Sequence, residues 1–158
     1  MPSAARRLAA ISRPLAVSLT LVLALAAGAA AKPKDPAPKP GGTDWPPAAW
    51  LEVGSRAAWL PFGSFCWKRK CVDFALPADR IDVPAFTVVA GAKATIHLGF
   101  DPTRVTVTLY RNGKWGSPAL VRPLGRTSTW KPRTTALVQI SAFSAHGVAS
   151  YLVSVKIR

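Results

Sequence analysis

Apolar residues recur at every second position through most of the second half of this chain, and this pattern constrains the fold more than any other feature. The clearest run is residues 148–157, where five apolar side chains share one face: Ala149, Tyr151, Val153, Val155 and Ile157. A period of two is that of a β-strand with one buried face, whereas a helix repeats about every 3.6 residues. No segment after residue 31 has a helical pattern of normal length, so the sequence predicts an all-β fold.

Turn residues divide this region into short strands, which include residues 94–100, 104–110, 134–143 and 148–157. Asn112 and Gly113 predict a tight hairpin, because a type I′ turn needs positive φ at both central residues. Seven or eight short strands in about 110 residues predict a two-sheet antiparallel sandwich, immunoglobulin-like in arrangement. The alternative is a small closed β-barrel.

The N-terminus has the three parts of a secretory signal peptide in residues 1–31. Arg6, Arg7 and Arg13 give a positive start, residues 15–27 are apolar without a charge, and residues 29–31 are alanines. The apolar run is short and rich in alanine for a membrane anchor. We expect cleavage after Ala31 and a secreted, periplasmic or envelope location, with general or twin-arginine export both open.

Proline and lysine dominate residues 32–47, which carry six prolines and three lysines. This composition offers few groups to bury and is typical of an extended, semi-rigid linker, expected to be disordered up to about Trp45. The folded domain is therefore expected to span residues 48–158.

The chain is strongly basic, with 21 lysines and arginines against 7 acidic residues. Removal of residues 1–31 takes away three of these cations and no acid, which leaves a net charge of +11. Such an excess favours contact with polyanions or an acidic surface, or it keeps the exported chain in solution. Seven of the second-half cations lie within residues 104–133, and the sequence does not say whether they share one face: Arg104, Arg111, Lys114, Arg122, Arg126, Lys131 and Arg133.

The two cysteines, Cys66 and Cys71, are the only ones in the chain. In an exported protein such a pair indicates a disulfide. If the flanking residues form a hairpin, the cysteines face each other at a distance that a disulfide can bridge. A redox-active pair is the alternative, because three neighbouring cations would favour a thiolate. A metal site is the least favoured reading.

Between the cysteines lies a possible binding tip, formed by Trp67, Lys68, Arg69 and Lys70. An aromatic plane beside three cations suits a sugar face, a base or an anionic polymer. The competing interpretation, which we favour for Trp67, is that this ring packs into the core and leaves solvated cations.

Residues 63–73 read Gly-Ser-Phe-Cys-Trp, three cations, then Cys-Val-Asp. This stretch resembles the motif G-S-[YF]-C-W-x(n)-C-x-D of small secreted or lipid-anchored bacterial proteins of unassigned function. The resemblance implies a bacterial envelope protein and brings no catalytic residues with it.

Few residues suited to catalysis are present. His97 and His146 are the only histidines, and the seven carboxylates show neither paired spacing nor metal-ligand spacing. Asp73 is expected to bond to local backbone amides or to a cation. We therefore expect no enzyme activity, no cofactor, no metal and no specific nucleic-acid partner.

These features together suggest a secreted, non-catalytic β-sandwich module that associates with an anionic or carbohydrate component of the cell envelope: a cell-wall polymer, a lipid surface or a polysaccharide. Two alternatives stay open. One is a thiol–disulfide redox protein that uses Cys66 and Cys71. The other is a structural accessory domain that binds another protein.

Overall fold

In a computed structural model, residues 32–39, 41–74 and 82–158 are described, and they form strands and turns without a helix. Thirteen strands are present in these residues: β1 (Ala49–Val53), β2 (Arg56–Leu60), β3 (Phe62–Trp67), β4 (Lys70–Val72), β5 (Ala85–Val88), β6 (Ala94–Leu98), β7 (Arg104–Arg111), β8 (Lys114–Trp115), β9 (Ala119–Val121), β10 (Pro123–Leu124), β11 (Thr127–Trp130), β12 (Ala136–Ser144) and β13 (Gly147–Ile157). The count exceeds the expected seven or eight in large part because four strands have only two or three residues, too few to show a period.

The strands pair into two sheets, which confirms the predicted sandwich and excludes the closed barrel. Sheet A has the order β10-β11-β6-β1-β2, and sheet B has the order β4-β3-β13-β12-β7-β8, with β9 also on β7. All described pairs are antiparallel except one. β5 runs parallel to the C-terminal part of β13, a pairing that the alternation of apolar residues did not reveal.

The core lies between the two sheets and follows the predicted faces. Ala149, Tyr151, Val153 and Val155 of β13 are at most 1% exposed. Leu51 and Ile96 of sheet A are fully buried opposite them. Burial of each large apolar side chain contributes roughly 1.5–3 kcal/mol, so this shared face is the main source of stability.

A β-bulge in β3 breaks the alternation. Ala149 lies opposite Phe65 and Tyr151 lies opposite Phe62, so Gly63 and Ser64 together face the single residue Ser150. The extra residue resets the phase of the strand, and both phenylalanines therefore point into the core. The sequence shows this only as an irregular spacing.

The proline-rich segment lies against the domain where it is described. The indole N–H of Trp59 donates to the carbonyl oxygen of Asp35 at 2.7 Å, and the Lys32 ammonium lies 5.2 Å from the centre of the Trp59 ring. Pro46 is among the fully buried residues. Residues 1–31, 40 and 75–81 are outside the described residues, so the signal peptide stays a prediction.

Gly147 begins β13 at a point where the backbone of β3 approaches closely. Its φ is 128°, and a Cβ placed there would lie 2.0 Å from the carbonyl oxygen of Cys66. Only glycine fits this approach, because that oxygen belongs to the backbone and has no flexible side chain to move.

Replacement of Gly147 by alanine should therefore lower the free energy of unfolding by at least about 2 kcal/mol, through the steric overlap and the strained φ together. Urea unfolding of the purified protein measures the change. Gly125→Ala is the matched control, since Gly125 also has positive φ (56°) but nothing within 4 Å of an added Cβ. Equal losses in the two variants would contradict the steric explanation.

Tyr151 anchors the start of the domain from the centre of the core. Its hydroxyl donates to the Pro47 carbonyl oxygen at 2.6 Å. Burial of the ring raises the pKa of this phenol well above its ordinary value. The folded protein therefore keeps the Tyr151 proton at pH values where the unfolded chain releases it.

Tyr151→Phe should lower the free energy of unfolding by about 1 kcal/mol at neutral pH, because the Pro47 carbonyl oxygen loses its hydrogen-bond donor. The phenol of the unfolded chain ionises above about pH 10, whereas that of the folded protein stays protonated. Ionisation favours the unfolded chain, so the free energy of unfolding of the wild-type protein should fall as the pH rises past about 10. The variant lacks this titration. The gap between the two unfolding free energies should therefore shrink from about pH 8 to pH 11, and a constant gap would contradict the linkage.

Candidate functional site

The cysteine motif forms the hairpin of β3 and β4, joined by the two-residue turn of Lys68 and Arg69. Lys68 accepts positive φ (52°) in this turn. Cys66 and Cys71 are directly opposed, with Cα atoms 4.0 Å apart, and form a disulfide. The predicted disulfide is confirmed, and it links the edge strand β4 of sheet B to its neighbour β3.

Trp67 is buried, so its assignment to an exposed binding tip is wrong and the competing core interpretation is confirmed. The ring is 3% exposed and packs 4.6 Å from the ring of Phe100, measured between centroids. Alternation explains this position. Cys66 points outward to its disulfide, so the next residue along the strand must point inward.

The cations of the turn contact the segment that precedes the domain. Lys68 Nζ donates to the Thr43 carbonyl oxygen at 2.8 Å, and Lys70 Nζ lies 5.1 Å from the centre of the Trp45 ring. Arg69 is exposed at the end of the turn. Two of the three predicted tip cations therefore hold residues 43–45 in place.

A groove opens beside the disulfide on the outer face of sheet B. Its volume is about 540 Å³. We call it the motif groove, and its walls and floor comprise Ser64, Phe65, Cys66, Cys71, Val72, Asp73, Gln139, Ser141, Phe143, Val148 and Ser150. Five defined positions of the sequence motif thus line one cavity: Ser64, Phe65, Cys66, Cys71 and Asp73.

Strand register explains why a cavity forms at this place. One row across the sheet carries Cys66, Val148 and Phe143, which are large and form a wall. The next row carries Ser150 opposite Ser141, which are small and form the floor. The bulge places Ser64 beside the same row, so the floor lies lower than the walls.

Polar groups in the motif groove are linked in two small networks. Ser64 Oγ donates to Asp73 Oδ1 at 2.6 Å and accepts from the Phe74 backbone N–H at 3.1 Å. Gln139 Nε2 donates to Ser141 Oγ at 3.2 Å and to Ser150 Oγ at 3.1 Å, and the two hydroxyls lie 3.0 Å apart. Asp73 is bonded to a serine hydroxyl, where a backbone amide or a cation was expected.

Sequence reasoning missed Gln139, Ser141 and Ser150 as site residues. Each is a polar residue on the outward face of a predicted strand, which is ordinary for a sandwich. Their convergence depends on the register of β12 against β13 and on the bulge in β3, and neither is visible in the pattern of one strand.

A second surface gathers cations at the opposite end of the sandwich. The amide of Gly91 donates to the Pro132 carbonyl oxygen, and the amide of Arg158 donates to the Val88 carbonyl oxygen, so the loops here meet. We call this surface the basic end, and its exposed cations are Arg56, Lys93, Arg111, Lys114, Lys131, Arg133, Lys156 and Arg158. A cleft of about 540 Å³ opens among them, lined in part by Arg56, Lys93 and Arg158.

Topology separates the basic end from the cations of the cysteine hairpin. The Lys68 amide donates to the His146 carbonyl oxygen in the turn that precedes β13. The basic end adjoins the other terminus of β13. The hairpin cations and most of the second-half cations therefore do not share a face, while Arg104, Arg122 and Arg126 lie toward the hairpin end.

His97 is paired on the outer face of sheet A. Its Nε2 lies 2.9 Å from Glu52 Oε2, and its ring stacks on Trp50 with centroids 3.5 Å apart. In the described residues no hydroxyl or thiol hydrogen-bonds to His97, so the pair lacks a nucleophile. No group of three or more potential metal-ligating side chains occurs there either.

Comparison with known proteins gives no relative. The sequence matches no family model, and no curated protein and no solved structure is significantly similar to it. Within residues 32–39, 41–74 and 82–158, there is no helix of the length and hydrophobicity that crossing a membrane requires.

Removal of the bridge by the paired substitution of Cys66 and Cys71 with alanine should lower the free energy of unfolding by about 2 kcal/mol. The loop that it closes is short, so the unfolded chain gains only modest freedom. Urea unfolding measures the loss, and reduction of the wild-type protein should give a similar value. A loss near zero would show that the turn alone holds the hairpin.

Proposed function

We propose that this protein is an exported, non-catalytic binding module that associates with an anionic component of the bacterial cell envelope through its basic end. The observation that carries the proposal is the gathering of eight exposed cations from separate loops and strand ends at one end of the sandwich. Export accords with the N-terminal pattern and with the disulfide, since such bonds persist in oxidising compartments.

Opposing charge at the basic end is small. Of the carboxylates in the described residues, Glu52 is the one on a strand near this end, and it is paired with His97. Cations that lack counter-charges add their fields, which raises the local concentration of a polyanion and speeds its approach. The cleft among Arg56, Lys93 and Arg158 gives such a partner a concave contact in place of a flat one.

The hairpin cations support the fold more directly than they support binding. Lys68 and Lys70 already contact Thr43 and Trp45. An anionic partner would have to displace these contacts. Of the eight cations of the basic end, Arg56 alone makes such contacts in the described residues, to the Ala85 carbonyl oxygen and the Phe86 ring. The envelope contact therefore moves from the hairpin, where the sequence suggested it, to the opposite end.

Thiol–disulfide exchange is the second candidate function, and one observation favours it. Cys71 on the edge strand β4 and Cys66 on the adjacent strand β3 are both exposed, so another thiol can reach them. A redox role predicts that the cysteine-to-alanine protein loses its activity, whereas an envelope-binding role predicts that this protein binds like the wild type.

The proposal predicts that the purified protein is retained by lipoteichoic acid immobilised on beads and by anionic lipid vesicles at low salt. Retention should weaken as ionic strength rises, because the screening length is about 10 Å at 0.1 M salt. The triple variant Lys114→Gln, Lys131→Gln and Arg133→Gln should lose most of this retention, as measured by co-sedimentation.

The matched control removes the same charge at the hairpin end, by Arg69→Gln, Arg122→Gln and Arg126→Gln. This variant should retain binding close to that of the wild type. Equal losses in the two triple variants would show that net charge alone drives the association and would contradict a basic-end contact. Absence of wild-type retention at low salt would refute the function.

A further inference from the structure

We infer that the motif groove is a binding site for a neutral saccharide, distinct from the anionic contact at the basic end. The proposal goes beyond envelope association, because it names a second ligand class and a second site. It rests on the shape of the groove, on its unused hydrogen-bonding groups, on its charge and on the pairing of its strands.

The dimensions of the motif groove suit a small ligand. Ligand cavities in proteins usually occupy about 300–1,000 Å³, with a mainly apolar lining and a few placed polar groups. The groove has a volume of about 540 Å³ and such a lining. Phe143, Val148 and the disulfide offer apolar surface to the C–H faces of a sugar ring, while the serine floor meets its hydroxyls.

The polar floor retains hydrogen-bonding capacity after its internal bonds are counted. The two N–H groups of Gln139 serve one serine each, and the hydroxyls of Ser141 and Ser150 share a single O–H. One serine hydrogen and Gln139 Oε1 are left without a protein partner in the described residues. Ser150 is only 4% exposed, so the free serine hydrogen lies at the bottom of the cavity and is pre-positioned.

The charge of the groove lining disfavours an anion in the same place. Among the described residues no lysine or arginine lines the motif groove, and the Asp73 carboxylate forms part of its wall. The guanidinium of Arg104 lies outside this lining, against the ring of Phe143. Asp73 Oδ1 accepts from Ser64, so its second oxygen can accept from a ligand hydroxyl. A neutral ligand rich in hydroxyls satisfies these groups, whereas a phosphate or carboxylate would face the Asp73 carboxylate and meet no cation in the described lining.

Backbone pairing disfavours an extended peptide on the floor of the groove. The floor belongs to β13 and β12, and each of these strands is hydrogen-bonded on both sides. A peptide that adds a strand to a sheet needs an unpaired edge. Recognition at the floor therefore depends on side chains alone, as in the binding of sugar hydroxyls.

Arg104 adds rigidity to one wall. Its guanidinium carbon lies 3.8 Å from the centre of the Phe143 ring, on the neighbouring strand β7. The stacked guanidinium holds the ring in place at the edge of the groove. A fixed wall lowers the entropy lost when a ligand is bound.

The test is a titration of the purified protein with two neutral tetrasaccharides, chitotetraose and cellotetraose, followed by calorimetry and by NMR of the backbone amides. At least one should bind saturably, with shift changes centred on Gln139, Ser141 and Ser150. Because the ligand is neutral, affinity should not depend on ionic strength, whereas retention by an anionic polymer should. Failure of either proposal is therefore distinguishable from failure of the other.

Ser150→Ala should weaken binding about tenfold, since one hydrogen bond in the floor is lost. Ser154→Ala is the matched control: the same strand and face and the same chemistry, outside the groove. Gln139→Leu provides a second groove variant, and urea unfolding checks that each variant folds. If Ser150→Ala does not fold, the comparison rests on Gln139→Leu and on the wild-type shift map.

Three results would overturn the inference. The first is an absence of saturable binding of both saccharides at about 10 mM. The second is equal weakening by Ser150→Ala and Ser154→Ala, or shift changes that lie outside the groove. The third is binding of a neutral tetrapeptide, tetra-alanine, at the groove in place of either saccharide.

Discussion

The hydrogen bonding of β13 is the interaction on which the rest of the structure depends. Along one side β13 pairs with β12, and along the other it pairs first with β3 and then with β5. The C-terminal strand thus joins segments from both halves of the chain. Its inward face supplies the fully buried Tyr151, and its outward face supplies Ser150 of the motif groove. The inward face of β13 therefore stabilises the core, and its outward face contributes to the candidate site.

Alternation made the strands of the second half predictable from the sequence, because the buried face of β13 requires apolar residues at every second position. It also required that Cys66 and Trp67 point to opposite sides, which is why a tryptophan beside an outward disulfide belongs to the core. The parallel β5 and the bulge at Gly63 and Ser64 were not predictable. Both depend on contacts between segments distant in sequence. β5 alternates like the other strands, but its alternation does not show which strand it pairs with or in which direction. The bulge interrupts the period of β3.

Only part of the candidate site was predictable from the sequence, for the same reason. Ser64, Cys66, Cys71 and Asp73 stand together in one motif, but the floor comes from β12 and β13, about 70 residues further along the chain. A shift of one residue in either register would turn Ser141 or Ser150 to the core face. The position of the charges was not predictable either. Net charge follows from composition, whereas the basic end forms because the topology brings particular loops and strand ends together.

Separation of charge between the two ends has a physical consequence for both proposals. Asp73 would oppose an anion at the motif groove, and eight cations would attract one at the basic end. The two surfaces adjoin opposite ends of β13, so a ligand at one does not occlude the other. Long-range attraction to a polyanion is salt-dependent and largely indifferent to chemical detail, whereas hydrogen bonds in a pre-formed groove are short-range and selective. A module of this design would concentrate at an anionic envelope through its basic end and distinguish neutral glycans within that layer through its groove.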